Sequence, residues 1–179
     1  MEISTRSLVL VALFAALTAI GAWIQIPVAP VPFTFQVLFV LLAGVMLGAW
    51  YGALSQIVYV LLGVIGLPVF AGGTSGLGVL FGPTGGYIFG FILAAFLIGK
   101  VNDVLEHNFL IEFVSMVTGI MIIYLLGMAQ LAVVANLSLA EAFIGGALPF
   151  IGFDLVKAVI AAVIAQRLHA LGIQPAKAS

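Results

Sequence analysis

Two strongly apolar runs of the chain are separated by the uncharged stretch Gly66-Leu-Pro-Val-Phe-Ala-Gly-Gly-Thr-Ser-Gly-Leu-Gly-Val-Leu-Phe-Gly-Pro-Thr-Gly-Gly-Tyr87. Its recurrent glycines and two prolines exclude a regular transmembrane helix. At membrane depth, irregular backbone is tolerated only where it is buried in protein or lines a cavity. The stretch therefore predicts either a lid or wall over a ligand pocket, or a glycine-rich connector between two helices.

The composition around this stretch is that of a polytopic membrane protein. The chain of 179 residues is 65% hydrophobic and 6% charged, with a mean hydropathy of +1.39. At about 20 residues per crossing, it accommodates six helices with short loops. We therefore expect one all-α membrane domain over residues 1–179, with no room for a fused ATPase.

Several function classes are disfavoured by what the sequence lacks. There is no P-loop motif and no His-Glu-x-x-His or Gly-x-Ser-x-Gly motif, so neither nucleotide hydrolysis nor another enzymatic activity is expected. The chain has no cysteine and only two histidines, which makes a metal site or other cofactor improbable. A net charge of -1 without a basic cluster gives no reason to expect a nucleic-acid partner.

Hydropathy and helix-breaking residues predict six transmembrane helices. Their approximate ranges are 7–26, 34–47, 52–65, 83–99, 109–134 and 148–167. A proline-rich loop follows the first helix, and Gly48, Trp50 and Gly52 predict a tight turn between the second and third. The segments 100–108 and 136–146 are predicted as loops, the first of them the most polar of the chain.

Basic residues near the helix ends predict the orientation in the cytoplasmic membrane. With six crossings and both termini in the cytoplasm, the cytoplasmic side carries Arg6, Lys100, Arg167, His169 and Lys177. This arrangement satisfies the positive-inside rule, with Lys157 as the exception. The proline loop, the glycine-rich stretch and the loop around Asn136 then share the outer side, where a pocket built from them would open.

Asp154 and Lys157 carry the clearest chemical signal, because both are charged within the sixth predicted helix. Three residues apart, they share one helix face and can pair. Charges at membrane depth are costly and usually face a bundle interior or a ligand cavity. The alternatives are a buried ion pair that fixes helix packing and a site that offers a ligand both a donor and an acceptor.

Further candidate ligand contacts lie near the proline loop, on the third helix and in the glycine-rich stretch. They are Thr34, Gln36, Gln56, Thr74, Ser75 and Tyr87. In the first helix, Ala12 with Ala16 and Ala15 with Ala19 form two small-xxx-small patterns. Such a stripe lets another helix lie close, either within the protein or in a partner.

The chain closely resembles the BioY family, the biotin-specific S-components of energy-coupling factor (ECF) transporters. The matching motifs are Val31-Pro-Phe-Thr-Phe-Gln36, Leu41-Leu-Ala-Gly44, Gly52-Ala-Leu-Ser-Gln56, Gly66-Leu-Pro-Val-Phe-Ala-Gly72, Gly82-Pro-Thr-Gly-Gly-Tyr87 and Asp154-Leu-Val-Lys157. They occur in order along nearly the whole chain, which makes the resemblance specific.

The resemblance implies a six-helix protein that captures biotin at its outer face. Asp154 and Lys157 would bind the polar part of biotin, with Thr74 and Ser75 as polar contacts near the glycine-rich loop. The alanines of the first helix, Ala12, Ala15, Ala16 and Ala19, would face a transmembrane T-component that carries two ABC-type ATPases. The remaining alternatives are an S-component for thiamin or riboflavin and a structural membrane protein or small channel.

Overall fold

The computed structural model describes residues 4–28, 30–105 and 108–171 and is predominantly helical, as the sequence predicts. In chain order its elements are α1 (Thr5–Trp23), β1 (Gln25–Ile26), β2 (Phe33–Thr34), α2 (Gln36–Val64), a 3₁₀ turn (Ala71–Gly73), α3 (Leu77–Leu80), α4 (Gly85–Val104), α5 (Phe109–Ala135), α6 (Leu139–Gly146) and α7 (Ile151–Ala170). The strands pair antiparallel as a short ribbon, with Gln25 opposite Thr34 and Ile26 opposite Phe33.

The helix α2 reverses direction at Gly48, where φ is +73°. The side-chain amide of Gln36 donates to the Tyr59 hydroxyl at 2.7 Å, although 23 residues of straight helix would separate them by about 35 Å. The limbs 36–47 and 49–64 therefore run side by side, which confirms the turn predicted at Gly48. The N–H of Ala49, at the start of the second limb, donates to the Asp103 carboxylate at 3.0 Å.

The reversal defines two ends of the helix bundle. The ribbon end holds β1, β2 and the glycine-rich stretch, and the turn end holds Gly48 and the junction between α4 and α5. Arg6 and Lys100 lie at helix termini at the turn end, and so do Arg167 and His169. Lys177, which the sequence also assigns to the cytoplasmic side, lies outside the described residues.

The two limbs of α2 form the centre of the bundle, with α1 and α4 packed against them and α5 against α4. The core combines aliphatic residues such as Leu41 and Ile98 with the aromatic rings of Tyr59 and Phe70. Large apolar side chains such as Leu125 remain exposed on the outside, as a lipid-facing surface requires. Within the described residues, four helices are long and apolar enough to cross a membrane, or five if α6 and α7, bent by 54°, count as one span.

Three predicted boundaries are wrong. Residues 100–104 continue α4 instead of starting a loop, because their polar side chains have partners at the turn end, such as Asp103 with Ala49. The predicted loop 136–146 contains α6, which starts with a capping box: Ser138 Oγ accepts from the Glu141 N–H, and Glu141 Oε2 accepts from the Ser138 N–H. The first helix ends at Trp23, before the ribbon.

Candidate ligand-binding site

A cavity of about 370 Å³ lies at the ribbon end of the bundle. Its walls come from the ribbon, both limbs of α2, the glycine-rich stretch, α4, α5 and α7. Apolar and aromatic side chains such as Phe91, Ile123 and Phe150 form most of the lining, and polar groups gather in two places. This combination of an apolar wall and a few convergent polar groups is typical of small-molecule sites.

The first polar group centres on Asp154 and Lys157, both less than 5% exposed and both lining the cavity. The ammonium of Lys157 donates to Asp154 Oδ1 at 2.7 Å and to the Thr34 carbonyl at 2.6 Å. The second carboxylate oxygen, Oδ2, accepts from the Tyr124 hydroxyl at 2.5 Å. Groups from three elements, α7, the ribbon and α5, therefore meet at this ion pair.

Aromatic rings enclose the ammonium of Lys157. Its Nζ lies 4.0 Å from the centroid of the Phe33 ring and 5.6 Å from that of Phe35, within the range of cation-π attraction. Phe33 is itself held by Phe153 and Phe150, whose ring centroids are 5.1 and 6.4 Å away. These rings fix the position of the charge and keep lipid away from it.

The second polar group comprises Thr34, Gln36 and Tyr59. The Gln36 amide nitrogen donates to the Tyr59 hydroxyl at 2.7 Å, and the Thr34 hydroxyl donates to Gln36 Oε1 at 3.1 Å. The hydroxyl hydrogen of Tyr59 has no acceptor among the described residues, and one amide hydrogen of Gln36 is also uncommitted. Thr34 connects the two groups, because its carbonyl accepts from Lys157.

A model of the BioY family matches residues 1–173. This chain belongs to the BioY family. A biotin transporter BioY from Thermotoga maritima is 48% identical over 169 residues, which cover 94% of this chain and 99% of that protein. A probable biotin transporter BioY from Pyrococcus horikoshii is 45% identical, with 89% and 94% of the two chains covered.

A solved structure agrees with the BioY assignment. The chain superposes with a TM-score of 0.86 and 30% identity on the crystal structure of the S-component for biotin from an ECF-type ABC transporter. The match covers 94% of this chain and 95% of the other. The resemblance inferred from the sequence motifs is confirmed, and membership of BioY, a family of transport proteins, confirms that the chain is not an enzyme.

Most candidate contacts predicted from the BioY-like sequence line the cavity. They are Thr34, Gln36, Thr74, Tyr87, Asp154 and Lys157. The other two do not. Gln56 is fully buried between the second limb of α2 and α1, where its amide donates to Thr18 and Ser55, and Ser75 is exposed outside the cavity.

Two cavity residues, Tyr59 and Tyr124, are not among the contacts predicted from the sequence, although both hydroxyls lie at the polar groups of the cavity. The sequence indicates such residues by a tyrosine in the middle of an apolar span, because a buried hydroxyl needs a hydrogen-bond partner. A tyrosine and a charged residue in two different spans therefore point to a shared site.

The alanine stripe of α1 divides into two faces. Ala15 is 1% exposed and Ala19 half-buried, and both pack against the core of the chain itself. Ala12 and Ala16 are exposed. The prediction that all four alanines face a partner is therefore wrong for Ala15, because that side of α1 is already covered within this BioY chain.

Proposed function

We propose that this chain captures biotin and serves as the substrate-binding S-component of an ECF-type transporter. The observation that carries the proposal is the buried Asp154–Lys157 pair in the wall of an apolar cavity. Charged residues inside a membrane helix bundle usually mark a ligand-binding site or an ion pathway. The BioY family and the biotin S-component that shares this fold indicate which ligand the cavity takes.

Biotin complements the two polar groups of the cavity. Its ureido ring carries two N–H donors and one carbonyl acceptor, and its sulfur-containing second ring and methylene chain are apolar apart from the terminal carboxylate. An ionised carboxylate has about four lone-pair sites, so Asp154 can accept from the ureido N–H groups while it keeps Lys157 and Tyr124. The ureido carbonyl can accept from the uncommitted hydrogens of Gln36 and Tyr59, or from Lys157.

The chain crosses the cytoplasmic membrane six times as one domain, residues 1–179. The crossings are α1, the two limbs of α2, α4, α5 and the bent α6–α7 pair. Basic residues gather at the turn end, which the positive-inside rule assigns to the cytoplasm together with both termini. The cavity at the ribbon end then opens to the outside under the glycine-rich stretch, as capture of an external vitamin requires.

Transport needs partners, because the sequence offers no site for nucleotide hydrolysis. The expected partners are a T-component in the lipid bilayer and two ABC-type ATPase subunits. The exposed alanines Ala12 and Ala16 supply a flat face of α1 against which a T-component helix can pack. Biotin is the cargo of the assembly, and no cofactor is needed for its capture.

Calorimetric titration of the detergent-purified protein with biotin tests the proposal. We expect saturable one-to-one binding that is lost in Asp154→Asn and Lys157→Ala. Lys100→Ala is the matched control, since it removes a lysine at the opposite end of the bundle and should leave the affinity unchanged. Absence of biotin binding by folded protein, or saturable binding of thiamin or riboflavin instead, would overturn the assignment.

A further inference from the structure

Part of the glycine-rich stretch, residues 78–84, forms one wall of the cavity, the cavity wall. Gly78, Val79, Gly82, Pro83 and Thr84 line the cavity from this segment. The four-residue helix α3 ends inside it. The Leu77, Val79 and Gly82 carbonyls accept from backbone N–H groups of the same region, whereas the Leu80 carbonyl has no backbone donor among the described residues and needs a side-chain partner. The wall is therefore held by whatever donates to that carbonyl.

Gln130 of α5 supplies this contact and a second one. Its Nε2 donates to the Leu80 carbonyl at 2.7 Å and to the Gly82 carbonyl at 2.8 Å. The two hydrogens of a single amide thus hold two positions of the cavity wall, about 50 residues away in sequence. Gln130 itself does not line the cavity, so it acts on a ligand only through the wall.

The start of α4 makes room for this amide. A Cβ atom at Gly85 would lie 2.5 Å from Gln130 Nε2, and one at Gly86 would lie 2.9 Å from Gln130 Cβ. Two successive glycines therefore allow α4 to approach α5 closely enough for the amide to reach the wall carbonyls. The two successive glycines of the motif Gly82-Pro-Thr-Gly-Gly-Tyr87 therefore serve to bring α4 close to Gln130.

We propose that Gln130 is a positioning residue that holds the cavity wall closed and sets how slowly a bound ligand leaves. The inference rests on the proposed function, because the ligand followed is biotin. An opening of the wall has to break both hydrogen bonds. The buried Leu80 carbonyl then loses its donor, which is costly in an apolar environment, whereas the Gly82 carbonyl keeps the Gly85 N–H at 3.2 Å. Binding contacts inside the cavity stay intact when Gln130 is replaced, and the two hydrogen bonds are formed without a ligand, so the affinity should change little while the ligand leaves and enters faster.

The test is the dissociation rate of radiolabelled biotin from the purified full-length protein. Gln130→Met keeps the length of the side chain and removes both donors, and we expect dissociation to be roughly tenfold faster, which corresponds to about 1.4 kcal/mol, with association accelerated to a similar extent and the affinity little changed. Gln130→Asn keeps the amide but is one methylene shorter, and should fall in between. Thr118→Val is the matched control on α5, since its hydroxyl bonds only to its own helix at Val114.

Deuterium exchange of the amides in residues 78–84 provides a second readout that does not need biotin. We expect faster exchange in Gln130→Met than in the wild type, and no change in Thr118→Val. Unchanged dissociation and unchanged exchange in Gln130→Met would overturn the inference. If the wild type binds no biotin, the proposed function fails, and the exchange measurement alone decides whether Gln130 holds the wall.

Discussion

The hydroxyl of Tyr124 donates to Asp154 Oδ2 at 2.5 Å, while Lys157 occupies the other oxygen of the same carboxylate. Two helices, α5 and α7, thereby hold the carboxylate from both sides. The orientation of Asp154 toward the cavity does not depend on its lysine partner alone.

Tyr124→Phe removes one of these two supports and should weaken biotin binding about tenfold. The reason is that a hydrogen bond to a charged group contributes about 1.5–3 kcal/mol, part of which is recovered by rearrangement of the carboxylate. Calorimetry gives the affinity. Tyr51→Phe is the control, since Tyr51 is buried in a small cluster with Val11 and Leu47 near the Gly48 turn, away from the cavity. Equal affinities in Tyr124→Phe and wild type would contradict the supporting role.

The double variant Asp154→Leu with Lys157→Met should fold with little loss of stability but bind no biotin. A buried ion pair can often be replaced by apolar residues at nearly no cost, whereas removal of one partner costs about 3–5 kcal/mol. Thermal unfolding and biotin titration of the double variant and of Lys157→Met separate ligand binding from helix packing. If the double variant bound biotin normally, the pair would have only a packing role.

Gly48→Ala should destabilise the protein by at least about 1 kcal/mol. Its φ of +73° is unfavourable for alanine, and the new Cβ would lie 2.6 Å from Asp103 Oδ1. The midpoint of thermal unfolding in detergent measures the effect. Gly152→Ala is the control, because this position is helical and the new Cβ would meet nothing within 4 Å beyond its own helical turn, so the variant should be at least as stable as the wild type.

Substitutions along α1 should separate partner binding from folding. Ala16→Leu changes an exposed position and should leave biotin affinity intact while it abolishes uptake in cells that contain the T-component and ATPases. Ala15→Leu inserts a large side chain into a packed site and should instead lower the stability of the isolated protein by about 1–3 kcal/mol. Normal uptake by Ala16→Leu would contradict the proposed interface.

The features predicted from sequence are those with a strong local signal. Charges at Asp154 and Lys157 are conspicuous in an apolar span, and Gly48 marks a reversal that few other residues allow. The capping box at Ser138 and Glu141 was also readable from the sequence, although residues 136–146 were predicted as a loop.

The partners of isolated polar residues depend on tertiary packing and could not be predicted. The second limb of α2 is apolar on nearly all sides, so its sequence does not fix which face Gln56 occupies. The same holds for Gln130 and Tyr124, each the polar member of an otherwise apolar part of α5. Only the packing of α4 and α7 against that helix assigns them to the cavity wall and to Asp154.

The Asp154–Lys157 ion pair also affects how the binding site responds to the membrane potential. Moving a single charge across a membrane potential of 100 mV changes its energy by about 2.3 kcal/mol. Opposite charges 2.7 Å apart on one helix move together and nearly cancel, so the voltage does almost no net work on them. A reorientation of this bundle during transport would therefore be insensitive to membrane potential as far as its binding site is concerned. Any voltage dependence of uptake would have to originate in the cargo, in the charged residues at the ends of the bundle or in the partner subunits.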